Sequence, residues 1–263
     1  MAVRGTRCST IEKALEMIRK LFTAAALTAI ALTPACAQDS SSGNMDRAEV
    51  EQIVREYILE NPEIIEDALV ALGERQRAEA AAAAVTAIEI HKDKLYNLAS
   101  DHFVGPADAE VTVVEFFDYR CGFCKRSVDM IQALPKEYDG KVRVVFKELP
   151  IFGGISETAS LAALSAGKQG KYNAMHVALM DLKSNDDLTE KRIDTIAESI
   201  GVDVKKMRAD MKSMEIQQQL SDMKELGRAL DVGGTPGFFV GNTHIEGADT
   251  AKLTAAIKAE LGS

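Results

Sequence analysis

Basic residues are scarce in this 263-residue chain: 31 lysines and arginines stand against 40 aspartates and glutamates, a net charge of −9. The clustered cations that grip a phosphate backbone are not visible, which excludes non-specific nucleic-acid binding. Long apolar runs are lacking as well. Leu21–Leu32 offers about a dozen residues before Pro34, whereas a spanning helix needs roughly 20, so permanent membrane anchoring is not expected. Cysteine is the third shortage. Four are present, Cys8, Cys36, Cys121 and Cys124, too few for the disulfide scaffold of a small secreted domain. With 46% hydrophobic and 27% charged residues, the chain has the composition of one main folded domain with an appendage, neither disordered nor fibrous.

What is present begins with a leader-like segment. Met17-Ile-Arg-Lys20 is basic, Leu21–Leu32 is apolar, and Ala35-Cys36-Ala37 has the small-x-small form of a cleavage site, so residues 1–37 read as a signal peptide, with Met1 or Met17 as the start. A lipidated Cys36 is the competing reading, weakened by Thr33 three places before it. Cleavage after Ala37 removes five basic and two acidic residues, taking the charge from −9 to −12. It also leaves Cys121 and Cys124 as the only thiols of an exported, periplasmic chain.

Residues 38–45 form a Ser-rich flexible tether. Residues 46–100 form an N-terminal helical extension: Val50, Ile53, Val54, Tyr57 and Ile58 recur at helical spacing after a capping Asp46, Asn61-Pro62 interrupts, and a second helix runs through the Ala80–Ala84 tract to about Tyr96. Its apolar stripe either folds back on the main domain or pairs with further copies of itself. Residues 101–263 read as α/β. Glu110–Phe117 is a buried strand, Lys125–Tyr138 a helix, and Lys141–Leu149 an alternating second strand, together a βαβ unit. An all-helical insertion at about 153–230 follows, then strands at Gly237–Val240 and Thr243–Ile245 and a closing helix, Thr250–Leu261.

The chemistry concentrates where strand meets helix. In Cys121-Gly122-Phe123-Cys124 the first thiol falls at a helix N-terminus, whose free N–H groups and dipole favour a thiolate. Cys121 is therefore the expected nucleophile and Cys124 the resolving thiol. Half of a zinc site is the bland alternative, but His91, His102, His176 and His244 are scattered without the pairing that would supply two more ligands. Neither metal nor cofactor is expected. Glu115 sits on an apolar strand six residues before Cys121, where burial would raise its pKa and let it relay the Cys124 proton; an exposed sheet-face charge is the alternative. Thr235-Pro236 in a Gly-rich loop is a candidate cis bond, offering backbone to a substrate. Met175 and His176 read as core. So do Met207, Met211, Met214 and Met223, with copper ligation as the sharper alternative, and Lys168–Lys171 reads as a solvated turn.

Glu115-Phe-Phe-Asp-Tyr-Arg-Cys121-Gly-Phe-Cys124-Lys, the helical insertion and Gly234-Thr235-Pro236 together resemble the DsbA-type branch of the thioredoxin superfamily over roughly His102–Leu261. The Asn61-Pro62 break and Ala-rich helix resemble ScsC-like and Com1-like periplasmic proteins. The resemblance implies a thioredoxin fold with a helical insertion, and thiol-disulfide exchange on unfolded or misoxidised exported proteins. It also implies substrate contacts at Thr235, Pro236, Gly122 and Phe123, a membrane redox partner that resets the dithiol, and a homo-oligomer, trimeric in the ScsC-like group. Gly122-Phe123 replaces the Pro-His of strongly oxidising members, which implies a less oxidising disulfide, and Thr235 matches the isomerases. A copper-binding or copper-tolerance module on the same cysteines is the alternative function.

Overall fold

The computed structural model describes residues 46–262; the leader, its cleavage site and the tether lie outside them. The chain divides into two compact units between Pro62 and Glu63, inside the expected 46–100 extension.

The described residues of the first unit form a helix, α1 (Arg47–Glu60). Asp46 accepts from the Glu49 N–H at 2.9 Å while the Glu49 carboxylate accepts from the Asp46 N–H at 3.2 Å, a reciprocal cap that fixes where the helix starts. At the other end the Asn61 backbone and side-chain amides both donate to the Tyr57 carbonyl, and Pro62 cannot continue the ladder. None of its residues is buried; Val50, Ile53, Val54, Tyr57 and Leu59 are exposed.

The second unit opens with α2 (Glu63–Tyr96), roughly 50 Å of helix at 1.5 Å per residue. Ile64, Ile65, Leu69, Val70 and Leu72 on its first half are exposed, whereas Ile88 and Leu95 near its end are fully buried. The last turns of the apolar stripe thus fold back on the domain, the first of its two alternatives, while the first turns stay uncovered within this unit.

The sheet runs β1-β3-β2-β4-β5, built from β1 (His102–Val104), β2 (Val111–Phe117), β3 (Val142–Glu148), β4 (Gly237–Val240) and β5 (Thr243–Glu246). β2 and β3 pair in parallel, joined through α3 (Gly122–Glu137), and the other pairings are antiparallel. Alternation of side chains across the pleat sorts the core. Val114, Phe116 and Val145 point to the face covered by Ile88 and Leu95 of α2 and by Leu226. Val113, Phe117, Val144 and Phe146 point to the opposite face, with Val128, Ile131 and Leu134 of α3. Between β3 and β4 the insertion comprises α4 (Ile155–Gly167), α5 (Tyr172–Met180), α6 (Glu190–Ser199), α7 (Val204–Asp210) and α8 (Met214–Ala229), before the final α9 (Thr250–Leu261). Leu226 belongs to α8, so the insertion returns to the sheet.

Two features differ from the sequence pattern. The three-residue β1 is not legible in the sequence because its partner, β3, lies 40 to 44 positions on (Val104 opposite Val144 and His102 opposite Phe146). And β3 is not a half-solvated alternating strand: Lys147 and Glu148 are both fully buried. A central strand with helices on both faces has no solvent side, so each polar head is met internally. The Lys147 ammonium donates to the Lys94 carbonyl at 2.7 Å and pairs with Asp101 at 2.5 Å, while Glu148 accepts from the hydroxyls of Tyr119 (3.0 Å) and Tyr172 (2.8 Å).

Candidate active site

β2 ends at Phe117 and α3 begins at Gly122, so Cys121 is the N-cap of α3. The turn between them is pinned by Asp118, which is fully buried. Its carboxylate accepts from the Arg120 N–H at 2.7 Å, the Ser156 hydroxyl at 2.8 Å and the Phe152 N–H at 3.1 Å, and its carbonyl accepts from the Cys121 N–H at 3.0 Å. In the sequence Asp118 stands out only as part of the motif around the dithiol. The available signal was an acidic residue ending an apolar strand directly before the dithiol, where a short carboxylate organises a turn.

Both cysteines are free thiols and buried. The Cys121 sulfur accepts the Cys124 N–H at 3.5 Å. A hydrogen bond from the Cys124 thiol lowers the Cys121 pKa to about 5, helped by Thr235 and by the N–H groups of Cys124 and Phe123, against the opposing effect of burial. Cys124 moves the other way: burial, the hydrogen bond it gives to Cys121 and the nearby Glu115 carboxylate all raise it well above the ordinary thiol range. The two sulfurs are therefore differentiated, one an anion at neutral pH and one a held proton.

Glu115 shares the pleat face of Val113 and Phe117, the side on which α3 lies, and is 2% exposed. Its Oε1 has no hydrogen-bond partner. Burial, with repulsion from the Cys121 thiolate, raises its pKa to about 8. The exposed-charge alternative is excluded by this placement. On the other side of the sulfur the Thr235–Pro236 peptide bond is cis, and the Thr235 carbonyl lies 3.1 Å from Cys121 Sγ. Gly122 and Phe123 face solvent, Phe123 at 58% exposure. The structure thus brings Cys121, Cys124, Glu115 and the Thr235 loop around one sulfur, with Gly122 and Phe123 at its rim.

Other sequence candidates lie elsewhere. His176 and Met175 are buried core, with the His176 ring edge-on to Phe117, tilted against Phe146 and parallel to Tyr172, and its pKa lowered to about 3 by burial. Met207, Met211 and Met223 are buried, while Met214 is exposed and so is not core. Lys168, Gly170 and Lys171 are exposed at a turn, where the Lys168 ammonium pairs with Glu215 at 2.6 Å. Among the described residues no three His, Cys, Asp or Glu side chains gather as a metal site.

A differentiated dithiol at a helix tip, facing a cis-proline loop on a thioredoxin-like sheet, defines a thiol-disulfide oxidoreductase. The chain belongs to the thioredoxin family, whose model matches residues 97–259, and within it is a DsbA-type, ScsC-like member. The family described as the copper resistance protein ScsC N-terminal domain matches residues 46–79. ScsC of Proteus mirabilis in a transitional conformation is 31% identical, over 82% of this chain and 96% of that one, with a TM-score of 0.60. The thiol-disulfide exchange protein alpha-DsbA2 of Wolbachia pipientis is 27% identical, over 69% and 98%, with a TM-score of 0.62. A curated relative, a Na(+)/H(+) antiporter NhaA of Salinispora tropica, is 30% identical over 166 residues, and the chain spans only about a quarter (25%) of its length. No described helix is long and apolar enough to cross a membrane.

Proposed function

We propose that this oxidoreductase is exported to the periplasm by residues 1–37 and there exchanges disulfides in unfolded or misoxidised exported proteins, working chiefly as an isomerase that a membrane redox partner keeps reduced. The observation that carries this reading is the Cys121 thiol at the tip of α3 donating to the Thr235 carbonyl at 3.1 Å, beside the cis Thr235–Pro236 bond. A nucleophilic sulfur against the backbone of that loop suits capture of a cysteine in an extended substrate chain.

In the cycle, the Cys121 thiolate attacks a substrate disulfide. A Cys121–substrate bond forms, the substrate S–S bond breaks, and one substrate sulfur leaves as thiolate. That thiolate either attacks elsewhere in the substrate and re-forms a correct bond, or the Cys124 thiol displaces the substrate and closes Cys121–Cys124. Glu115 times the second route. While Cys121 is an anion, burial together with its repulsion keeps Glu115 protonated, and burial with the hydrogen bond given to Cys121 keeps Cys124 a thiol. Once Cys121 is in a neutral mixed disulfide that repulsion is gone, Glu115 ionises more easily, and it accepts the Cys124 proton when the resolving attack is needed. Gly122, Phe123 and the Thr235-Pro236 loop form the contact surface.

A Cys121 pKa of about 5 falls between the values of about 7 for thioredoxin and about 3.5 for DsbA. Stabilising the thiolate stabilises the reduced form, so the potential should lie between about −270 and −120 mV, a window that contains the value of about −180 mV of protein disulfide isomerase. Refolding of scrambled ribonuclease tests the reading: wild type restores activity under glutathione buffer and Cys121→Ser does not. Equal restoration by Cys121→Ser contradicts it.

The match of residues 46–79 to a copper resistance protein's N-terminal domain favours a second reading, in which the hydrogen-bonded thiol pair binds Cu(I), a soft ion that thiolates select. Titration of the reduced protein with Cu(I) against a competing chelator separates the two. The homo-oligomer is proposed on the apolar side chains of α1 and of the first half of α2, with a second copy of the chain as the partner.

A further inference from the structure

The surface next to Cys121 carries charge of the opposite sign to the molecule as a whole. A groove of about 350 Å³ opens between α3 and α5, starting at Gly122, the residue after the nucleophile. Its charged lining is Lys125, Arg126 and Lys183 against Asp129 and Asp181, an excess of one cation in a chain of net charge −9. Lys183 and Asp181 are paired at 2.6 Å. Lys125 is spent on the Leu179 and Leu182 carbonyls, at 3.3 and 2.9 Å, at the end of α5. Arg126 alone among the cations is uncommitted, with no ion pair among the described residues.

Arg126 is nonetheless held in place. Its guanidinium carbon stands 4.4 Å from the centroid of the exposed Phe123 ring, a cation–π contact. Its Nη1 lies 3.4 Å from where a side chain on Gly122 would begin, so the absence of one there leaves it room. A guanidinium lying on a ring keeps its N–H edge free, and that edge matches a carboxylate in a fork of two hydrogen bonds. Arg120, over the Phe152 ring at 5.6 Å, is a lesser candidate, because Asn185 donates to its carbonyl and brings Asp186 and Asp187 nearby.

We infer that the groove is a substrate subsite that favours cysteines flanked by acidic residues, with Arg126 as its specificity-determining side chain. The inference rests on the exchange reading above and adds the substrate class. The sign is diagnostic, since the net charge by itself would draw basic substrates.

The test uses two peptides, one with Glu and one with Lys on both sides of a single cysteine capped by 2-mercaptoethanol as a mixed disulfide. Cys121 attacks the peptide sulfur and releases 2-mercaptoethanol; Cys124 then closes the enzyme disulfide and releases the peptide thiol. The rate ratio of the two peptides is the readout, whatever a variant does to the absolute rate. Wild type should oxidise about two- to fivefold faster with the Glu peptide at low salt, the size an exposed ion pair supports, and the ratio should narrow as salt rises. It should fall to one or below in Arg126→Gln and stay above one in Arg126→Lys. Equal or inverted rates in wild type, or a ratio unchanged in Arg126→Gln, overturn the subsite alone. Wild type that reacts with neither peptide removes the exchange reading and the subsite with it.

Discussion

At the scale of single residues the site is a set of opposed ionisations within one helix turn and one strand. Cys121 is lowered to about 5 and Glu115 raised to about 8, and the signs have consequences for stability. Glu115 is protonated in the folded state and ionised in the unfolded state between pH 4.5 and 8, so it costs stability that grows across that window and is full above it. Glu115→Gln should therefore stabilise the reduced protein by roughly 2–4 kcal/mol at pH 8 and change little at pH 4, while slowing release of a Cys121 mixed disulfide. Urea unfolding at the two pH values checks the first effect and stopped-flow the second; a gain of equal size at pH 4 contradicts the assignment. The dithiol, Glu115 and the proline loop were legible in sequence because their chemistry is local: a C-x-x-C at a strand–helix junction, a carboxylate in an apolar strand. Asp118 was not, because its partners Phe152 and Ser156 come from a turn and the start of α4, more than 30 positions away, that only the fold brings near.

At the scale of elements, the structure depends on how α2 is fastened to the sheet. Ile88 and Leu95 insert against Val114, Phe116 and Val145, and the Lys147 ammonium bonds the Lys94 carbonyl at the end of α2 and the Asp101 carboxylate just after it. The pair is buried, with burial lowering the Lys147 pKa and raising that of Asp101 to about 6. Removing one partner strands the other charge, so Asp101→Asn should destabilise the domain by about 3–5 kcal/mol, whereas the double change Asp101→Leu with Lys147→Met should recover most of it. A chemical-denaturation series checks this, and a single change costing under about 1 kcal/mol contradicts it. Helices and strands were readable from periodicity nearly to their ends. What periodicity could not convey was the layer on each face of β3, because a Lys-Glu pair at a strand end has the same pattern whether water or a helix covers it. The same limit left α2 divided between two readings, since apolar residues recur among charged ones along its whole length and only contact with the sheet distinguishes its halves.

At the scale of the molecule, two apolar surfaces stand uncovered in their own units, one on α1 and one on the first half of α2. Patches of this kind mark association sites. Deleting residues 46–62 should lower the sedimentation coefficient to that of a smaller assembly while leaving Cys121 reactivity intact; an unchanged assembly state would place the contact elsewhere. This level was the least legible in sequence, because an amphipathic helix records that it needs a partner without recording which one. The central claim remains that one sulfur at the tip of α3 is an anion at neutral pH, stabilised by its own helix and its neighbouring thiol. Titrating the 240 nm thiolate absorbance of the reduced protein, with Cys121→Ser as the blank, tests it most directly. The account predicts a single midpoint near pH 5, and a midpoint near the ordinary thiol value of about 8.5 would contradict it.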